Sequence, residues 1–141
     1  IADRDWSSDV CSSDLRKMKK EFVNYEQALA LKELGFDKEC FGYYTGDKMH
    51  LVIRPAMSRT NIPDSYVVTA PLYQQAFRWF REKYNLDHFV QHHIDWPNET
   101  YFSMARKSTW DVDTHNTYEE AELACLKKLI EIIDRKDEAY Q

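Results

Sequence analysis

The feature that most constrains the fold is a long amphipathic pattern near the end of the chain. From Thr117 to Ile133, apolar side chains recur every three or four residues, which is the period of an α-helix buried along one side. The apolar positions are Ala121, Cys125, Leu129 and Ile132, widened by Leu126, Ile130 and Ile133, and the charged positions include Glu119, Glu122, Lys127, Lys128 and Glu131. Thr117 followed by Glu120 matches a capping box and marks the start. Such a helix needs a second layer of structure to cover its apolar side.

A shorter helix is predicted from about Tyr25 to Leu34. Asn24 is suited to cap its first turn, and Gln27 is placed three residues later to return the bond. Gly35 then supplies a left-handed residue that ends the helix, and Phe36 is expected to fold back onto its last turn.

A third helix is predicted from about Ala70 to Tyr84, with Thr69 as its cap and Pro71 in its first turn. Its apolar stripe is Tyr73, Ala76, Phe77, Phe80 and Tyr84. Asn85 is a left-handed stop, and Leu86 packs as Phe36 does. All three helices begin with a tyrosine followed three residues later by alanine, which leaves open whether they descend from a duplicated unit.

Strand patterns fill the gaps between the helices. Residues 40–44 and 50–53 flank a turn at 45–48, and residues 88–94 and 100–105 flank a turn at 96–99, so two hairpins are predicted. Residues 54–68 read as an irregular connection with room for a short strand at 66–68, and residues 107–116 as a polar connection. The predicted class is α+β, as a single small domain of order α-β-β-α-β-β-α. Its antiparallel sheet is expected to carry the helices on one face.

The first fifteen residues differ in kind from the rest. Residues 5–15 match, residue by residue, one reading frame of a common short-read sequencing adapter. Residues 1–15 are therefore expected to be a non-native leader that makes few contacts, with the α+β domain in residues 16–141 and a natural start at Met18.

Charge and composition exclude several classes of protein. The chain has 19 basic and 24 acidic residues; without the leader the balance is 18 to 20, or −2. A mildly acidic body disfavours wholesale binding of nucleic acid. No apolar run approaches the roughly 20 residues of a membrane helix. Outside the leader, Cys40 and Cys125 are far apart in sequence and fit buried, reduced thiols, which indicates a cytoplasmic protein.

Three blocks of sequence carry a resemblance to known proteins. They are YEQALALKELGF at 25–36, APLYQQAFRWFREKY at 70–84 and TYEEAELACLKKLIEII at 117–133. Together they resemble a family of small uncharacterised phage, prophage and mobile-element proteins of Bacteroidetes, over most of residues 18–136. The resemblance implies an origin in viral or mobile DNA and a bacterial host cytoplasm. It carries no activity, cofactor or functional residue over to this chain.

One surface suggests nucleic-acid binding. Arg78, Trp79, Arg81 and Lys83 interleave cations with an aromatic ring, so that arginine holds phosphate while the indole stacks on a base. The alternative is a solvated helix face, because Arg78 lies one turn before Glu82 and matches an ion pair.

The histidines suggest a metal site. His88 and His92 fall on one face of a strand and His93 on the other, with Asp95, Asp111, Asp113 and His115 nearby in sequence. Four residues along a strand is roughly 13 Å, too far for two ligands of one ion. The favoured interpretation is therefore histidines facing solvent, with no metal and no cofactor.

The remaining candidates are Trp96 and Trp110, which lie in polar connections and are typical of side chains that anchor a partner protein. They equally fit a lid folded over a small core. The sequence has neither a G-x-S-x-G nor a P-loop pattern. The leading hypothesis is an accessory protein without catalytic activity that binds another protein. A nucleic-acid binder and, after it, a metal-dependent enzyme are the alternatives.

Overall fold

The computed structural model describes residues 17–45, 50–58, 67–94, 100–106 and 113–139. Their elements are α1 (Tyr25–Glu33), β1 (Cys40–Thr45), β2 (His50–Ser58), β3 (Val67–Ala70), α2 (Tyr73–Tyr84), β4 (Asp87–His93), β5 (Thr100–Arg106), β6 (Asp113–His115) and α3 (Tyr118–Ala139). The α+β class is confirmed, as are all three helices and the antiparallel pairing of β1 with β2 and of β4 with β5. The turn predicted at 96–99 and residues 46–48 of the other predicted turn lie outside the described residues. The predicted leader, residues 1–15, lies outside the described residues.

The strands form two sheets rather than the single sheet that was predicted. One sheet has the order β2-β1-β3 and the other β4-β5-β6, and every pair is antiparallel. In the described residues the two predicted hairpins do not pair with each other, and each pairs instead with a third strand. Strand β3 returns to pair with β1, with Val68 opposite Tyr44, and β6 pairs with β5, with His115 opposite Tyr101. The connections predicted at 54–68 and 107–116 therefore contain strand residues.

The middle helix begins three residues later than predicted. Thr69 and Ala70 belong to β3, where Ala70 lies opposite Gly42, so the prediction of Thr69 as the helix cap is wrong. Because Thr69 and Ala70 pair with β1, their backbone groups are not available to form the first turn of a helix. At the actual start, the backbone N–H of Leu72 donates to Oε1 of Gln75 at 3.0 Å.

Other helix ends match the sequence. Gly35 has φ of 87° and Asn85 has φ of 54°, and both are the left-handed residues predicted to end α1 and α2. Asn24 Oδ1 accepts from the N–H of Gln27 at 3.2 Å, which confirms the cap of α1. The return bond is not made, because the buried Oε1 of Gln27 has no hydrogen-bond partner.

Residues 21–23, which we call the N-terminal segment, are hydrogen-bonded to the start of α2. The N–H of Val23 donates to the carbonyl of Pro71 at 2.9 Å, and the N–H of Tyr73 donates to the carbonyl of Glu21 at 3.0 Å. The buried hydroxyl of Tyr44 donates to the carbonyl of Val23 at 2.8 Å. This segment therefore ties β1 and α2 together before α1 begins.

One continuous apolar core joins these elements. Helix α1 packs against β3, α3 packs against β4, β5 and β6, and α2 contacts both β4 and α3. The core includes Leu31 of α1, Tyr44 of β1, Phe80 of α2 and Leu129 of α3. None of the described helices combines the length and apolar character needed to cross a bilayer.

Candidate functional site

The helix face proposed for nucleic acid is largely engaged within the protein. Nε of Arg78 lies 2.7 Å from Oε1 of Glu82, so the predicted ion pair is confirmed. Trp79 is only 3% exposed, and its ring meets Phe36, Phe80 and Tyr84 edge-on. The indole therefore belongs to the core and does not fit the prediction that it stacks on a base.

Lys83 also serves the packing of α1 against α2. Its Nζ lies 3.4 Å from the carbonyl oxygen of Leu34, at the end of α1, and 4.8 Å from the centre of the Trp79 ring. A lysine at this place satisfies a carbonyl that the helix itself leaves free. Of the four predicted residues, the cations Arg78, Arg81 and Lys83 are exposed, whereas the aromatic ring of Trp79 is buried.

The histidines pack against aromatic rings. The ring of His88 stacks face to face on Phe77, with centroids 3.6 Å apart and an interplanar angle of 7°, and His92 stacks on Tyr101 at 4.5 Å. His88 is half-buried, so the prediction that it faces solvent is wrong. Burial lowers the pKa of His88, and the nearby Arg81 lowers it further, while Asp87 acts in the opposite direction. The stacked imidazole is therefore favoured in its neutral form.

The described part of the chain brings no three histidine, cysteine, aspartate or glutamate side chains close enough to hold a metal ion. Asp95 and Asp111, two of the predicted acids, lie outside the described residues. His115 does have a partner that the sequence did not reveal: Oγ of Ser103 lies 2.8 Å from its Nε2. Ser103 is only 4% exposed, so this bond is best explained as satisfying a buried hydroxyl.

A cluster of acids and phenols was not recognised in the sequence. We call it the acid–phenol cluster; it consists of Glu21, Tyr73, Tyr118, Glu119 and Glu122. Glu122 was expected on the solvated face of its helix, yet it is half-buried. Burial, then Glu21 and then Glu119 raise the pKa of its carboxyl to about 7, although a hydrogen bond from Tyr118 opposes them.

Three parts of the chain bring this cluster together. Glu21 comes from the N-terminal segment, Tyr73 begins α2, and Tyr118, Glu119 and Glu122 occupy the first turns of α3. Burial, with Glu122 and Tyr44 close by, raises the pKa of Tyr73 to about 12. The cluster therefore holds a carboxyl that exchanges its proton near neutral pH beside phenols that keep theirs.

One strand carries exposed apolar side chains. Phe89 of β4 is 47% exposed, and Ile94, directly after β4, is 71% exposed. Phe89 alternates with the half-buried His88 and Val90, so it lies on the outer face of β4 with Asp87, Gln91 and His93. Sγ of Cys125 on α3 lies 3.4 Å from the carbonyl oxygen of Phe89, so α3 contacts the backbone that carries the exposed ring. The predicted partner anchors Trp96 and Trp110 lie outside the described residues.

Comparison with protein-family models, with curated proteins and with solved structures finds no match in any of the three. The function must therefore be inferred from the chain's own residues. The feature that carries that inference is the exposed ring of Phe89 on the outer face of β4.

Proposed function

We propose that the chain is a non-catalytic binding protein that docks another protein on the outer face of β4. The observation that carries this proposal is the exposure of Phe89 on a strand whose backbone is held by α3. A rigid, exposed aromatic ring is typical of residues that anchor protein interfaces. Phe89 is 47% exposed, so burial of the remaining surface by a partner contributes about half of the roughly 1.5–3 kcal/mol that a fully exposed side chain would give. Ile94, directly after β4, is a second exposed apolar side chain.

The charge of this face favours a protein over a nucleic acid. Strand β4 contains no lysine or arginine, and Asp87 adds a negative charge to its outer face. Binding to nucleic acid depends mainly on cations that neutralise phosphates. The partner is therefore expected to present apolar side chains with neutral or basic neighbours.

The test compares a charge insertion on the proposed surface with one outside β4. A tagged chain is produced in a bacterial host and its co-purifying proteins are quantified by mass spectrometry. Phe89→Asp should reduce recovery of a specific partner at least about tenfold, which is about 1.4 kcal/mol of binding free energy. Gln74→Asp places the same charge at an exposed position of α2, and it should retain the partner.

Two outcomes would contradict the proposal. One is equal recovery of every partner by both variants, with circular dichroism showing that both are folded. The other is salt-dependent DNA binding that is lost when Arg78 and Arg81 are both replaced by alanine, since that result would favour the nucleic-acid alternative.

We further propose that the protein is a single-domain accessory protein of a phage or mobile element, acting in the bacterial cytoplasm. The resemblance of residues 25–36, 70–84 and 117–133 to such proteins supports the source. The shared core of both sheets supports a single domain. Cys40 and Cys125 are buried free thiols, and burial raises the pKa of Cys40 to about 12, which suits a reducing compartment.

A further inference from the structure

The strands at the edges of the two sheets differ in how they are protected from pairing with another chain. These edge strands are β2 and β3 in one sheet and β4 and β6 in the other. An edge strand presents backbone N–H and C=O groups on which a further strand can pair. Natural proteins prevent such pairing with short strands, bulges, prolines, lysines or a covering helix. A long edge strand without these devices is therefore suited to pair with another chain.

Three of the four edges carry such protection. A register shift interrupts the pairing of β2 with β1, and β2 contains Pro55, which has no N–H. Strand β3 has four residues and packs against α1, and Nζ of Lys32 donates to the carbonyl of Val67 at 3.1 Å. Strand β6 has only three residues. Pairing with a further strand is disfavoured at each of these edges.

Strand β4 is long and regular by comparison. It has seven residues, and its register with β5 is continuous along its whole length. It contains no lysine, proline or glycine, and its one acid, Asp87, is its first residue. Gln91, His92 and His93 are exposed in succession, so solvent reaches both faces of the strand at this end. Among the described strands, only β5 pairs with β4.

The geometry of β4 limits how two copies of it can pair. In an antiparallel pair, residues directly opposite each other lie on the same face of the sheet. A two-fold axis perpendicular to the sheet therefore passes between two copies of one residue. An axis at Val90, the middle residue, pairs all seven residues of the strand. His88 and Val90 pack against the core, so this arrangement places the helices of both copies on one side of the joined sheet.

We propose that β4 pairs with β4 of a second copy of the chain about an axis at Val90, which joins two three-stranded sheets into one continuous sheet. Asp87 then lies opposite His93 of the partner subunit, and His93 lies opposite the partner's Asp87. A carboxylate faces an imidazole at both ends of the interface, and cross-strand pairs of complementary groups are favourable. This complementarity of β4 with itself favours a second copy over an unrelated strand.

The dimer goes beyond the docking function proposed above and leaves the docking surface open. Phe89 lies opposite Gln91 of the partner subunit, which places the two copies of Phe89 diagonally across the interface, about 7–8 Å apart. Both copies lie on the outer face, so the joined sheet presents two docking rings side by side. Dimerisation is measured without the docked protein, so either proposal can fail while the other stands.

Sedimentation equilibrium of the full chain over a range of concentrations tests the dimer. The wild-type chain should show a reversible equilibrium between monomer and dimer. His93→Lys should lower the Kd of the dimer, because it places a cation opposite the partner's Asp87. His93→Asp should raise the Kd, because it places two acids opposite each other. Each change acts at both ends of a two-fold interface, so the two variants should differ on the order of tenfold in Kd.

The matched control is His50, an exposed histidine at the start of the edge strand β2. His50→Lys and His50→Asp make the same charge changes outside the interface and should leave the Kd unchanged. In a mixture of isotope-labelled and unlabelled wild-type chains, intermolecular nuclear Overhauser effects should connect β4 to β4. A chain that stays monomeric at NMR concentrations would overturn the proposal. So would intermolecular contacts elsewhere than β4, or equal effects of His93→Lys and His93→Asp.

Discussion

Gly42 shows how a single position is fixed by close packing. A Cβ at Gly42 would lie 2.8 Å from Cε1 of Phe22 and 3.2 Å from Cδ1 of Leu51. Phe22 is itself buried, so its ring has little room to withdraw. We expect Gly42→Ala to reduce the free energy of unfolding by about 1–3 kcal/mol, measured by urea denaturation.

A double-mutant cycle checks that the clash is the cause. Phe22→Leu shortens the side chain that Gly42 faces, so Gly42→Ala should cost less in that background than in the wild type. Gly35→Ala is the control, because its added Cβ would meet only Nζ of Lys83 at 3.6 Å. Its cost of about 1–2 kcal/mol comes from the left-handed backbone and should not depend on residue 22. Additivity at Gly42 would contradict the explanation.

The hydroxyl of Tyr44 is a second group whose removal is expected to lower the stability of the protein. It donates to the carbonyl of Val23 at 2.8 Å in a buried setting, so Tyr44→Phe leaves a buried acceptor without this donor. The expected loss of stability is about 1–3 kcal/mol. Tyr43→Phe, one residue earlier, removes a hydroxyl that accepts from the exposed Arg54 at 3.3 Å and should cost less than about 0.5 kcal/mol. Equal losses in urea denaturation would refute the distinction.

Helix ends were predictable from sequence because their signals are local. Asn24, Gly35 and Asn85 act within one turn of where they stand, and each has the role that its residue type suggests. The sequence allowed a short strand at 66–68, which corresponds to β3, but it predicted neither the pairing of β3 with β1 nor the strand β6. Strand β3 pairs with β1 across an intervening strand, and β6 has only three residues, so neither carries a long alternating pattern.

The stack between α2 and β4 makes stability depend on pH. The folded state lowers the pKa of His88, mainly through burial, so protonation is less favourable in the folded than in the unfolded protein. This contribution to stability is present above pH 6.5 and is lost as the pH falls through 6.5 and below. His88→Phe keeps a ring against Phe77 but removes the titration. The stability of this variant relative to wild type, from urea denaturation, should rise steadily from pH 7.5 to pH 5.5.

The direction in which stability changes with pH distinguishes the effect of His88 from that of other titrating groups. Glu122 acts in the opposite direction, because its raised pKa removes stability as the pH rises. Subtracting the wild-type free energy of unfolding from that of His88→Phe at each pH isolates the contribution of the His88 side chain, because Glu122 titrates in both proteins. A constant difference between His88→Phe and wild type would show that the stack does not discriminate between the neutral and protonated imidazole.

The acid–phenol cluster could not be predicted from the sequence because its residues come from distant parts of the chain. Glu122 lies on what reads as the charged side of α3, and nothing within its own helix predicts that Glu21 will approach it. Trp79 was predicted to be exposed because the sequence does not show that Phe36, which lies between α1 and β1, contacts its ring. Helical periodicity identifies one buried stripe, whereas α2 is packed by β4 and α3, and its Lys83 also reaches the end of α1.

The shared core predicts that both sheets unfold together. Leu126 of α3 is 0% exposed and belongs to the same cluster as Tyr44 of β1 and Phe77 of α2. Leu126→Ala should cost about 2–5 kcal/mol because a cavity replaces core contacts. In hydrogen exchange by NMR, the most protected amides of β1 and β4 should lose protection by the same factor, since both open only with the whole core. Lys127→Ala, at the next and exposed position, should change stability by less than about 0.5 kcal/mol. If β1 kept its protection while β4 lost it, the two sheets would be separate folding units.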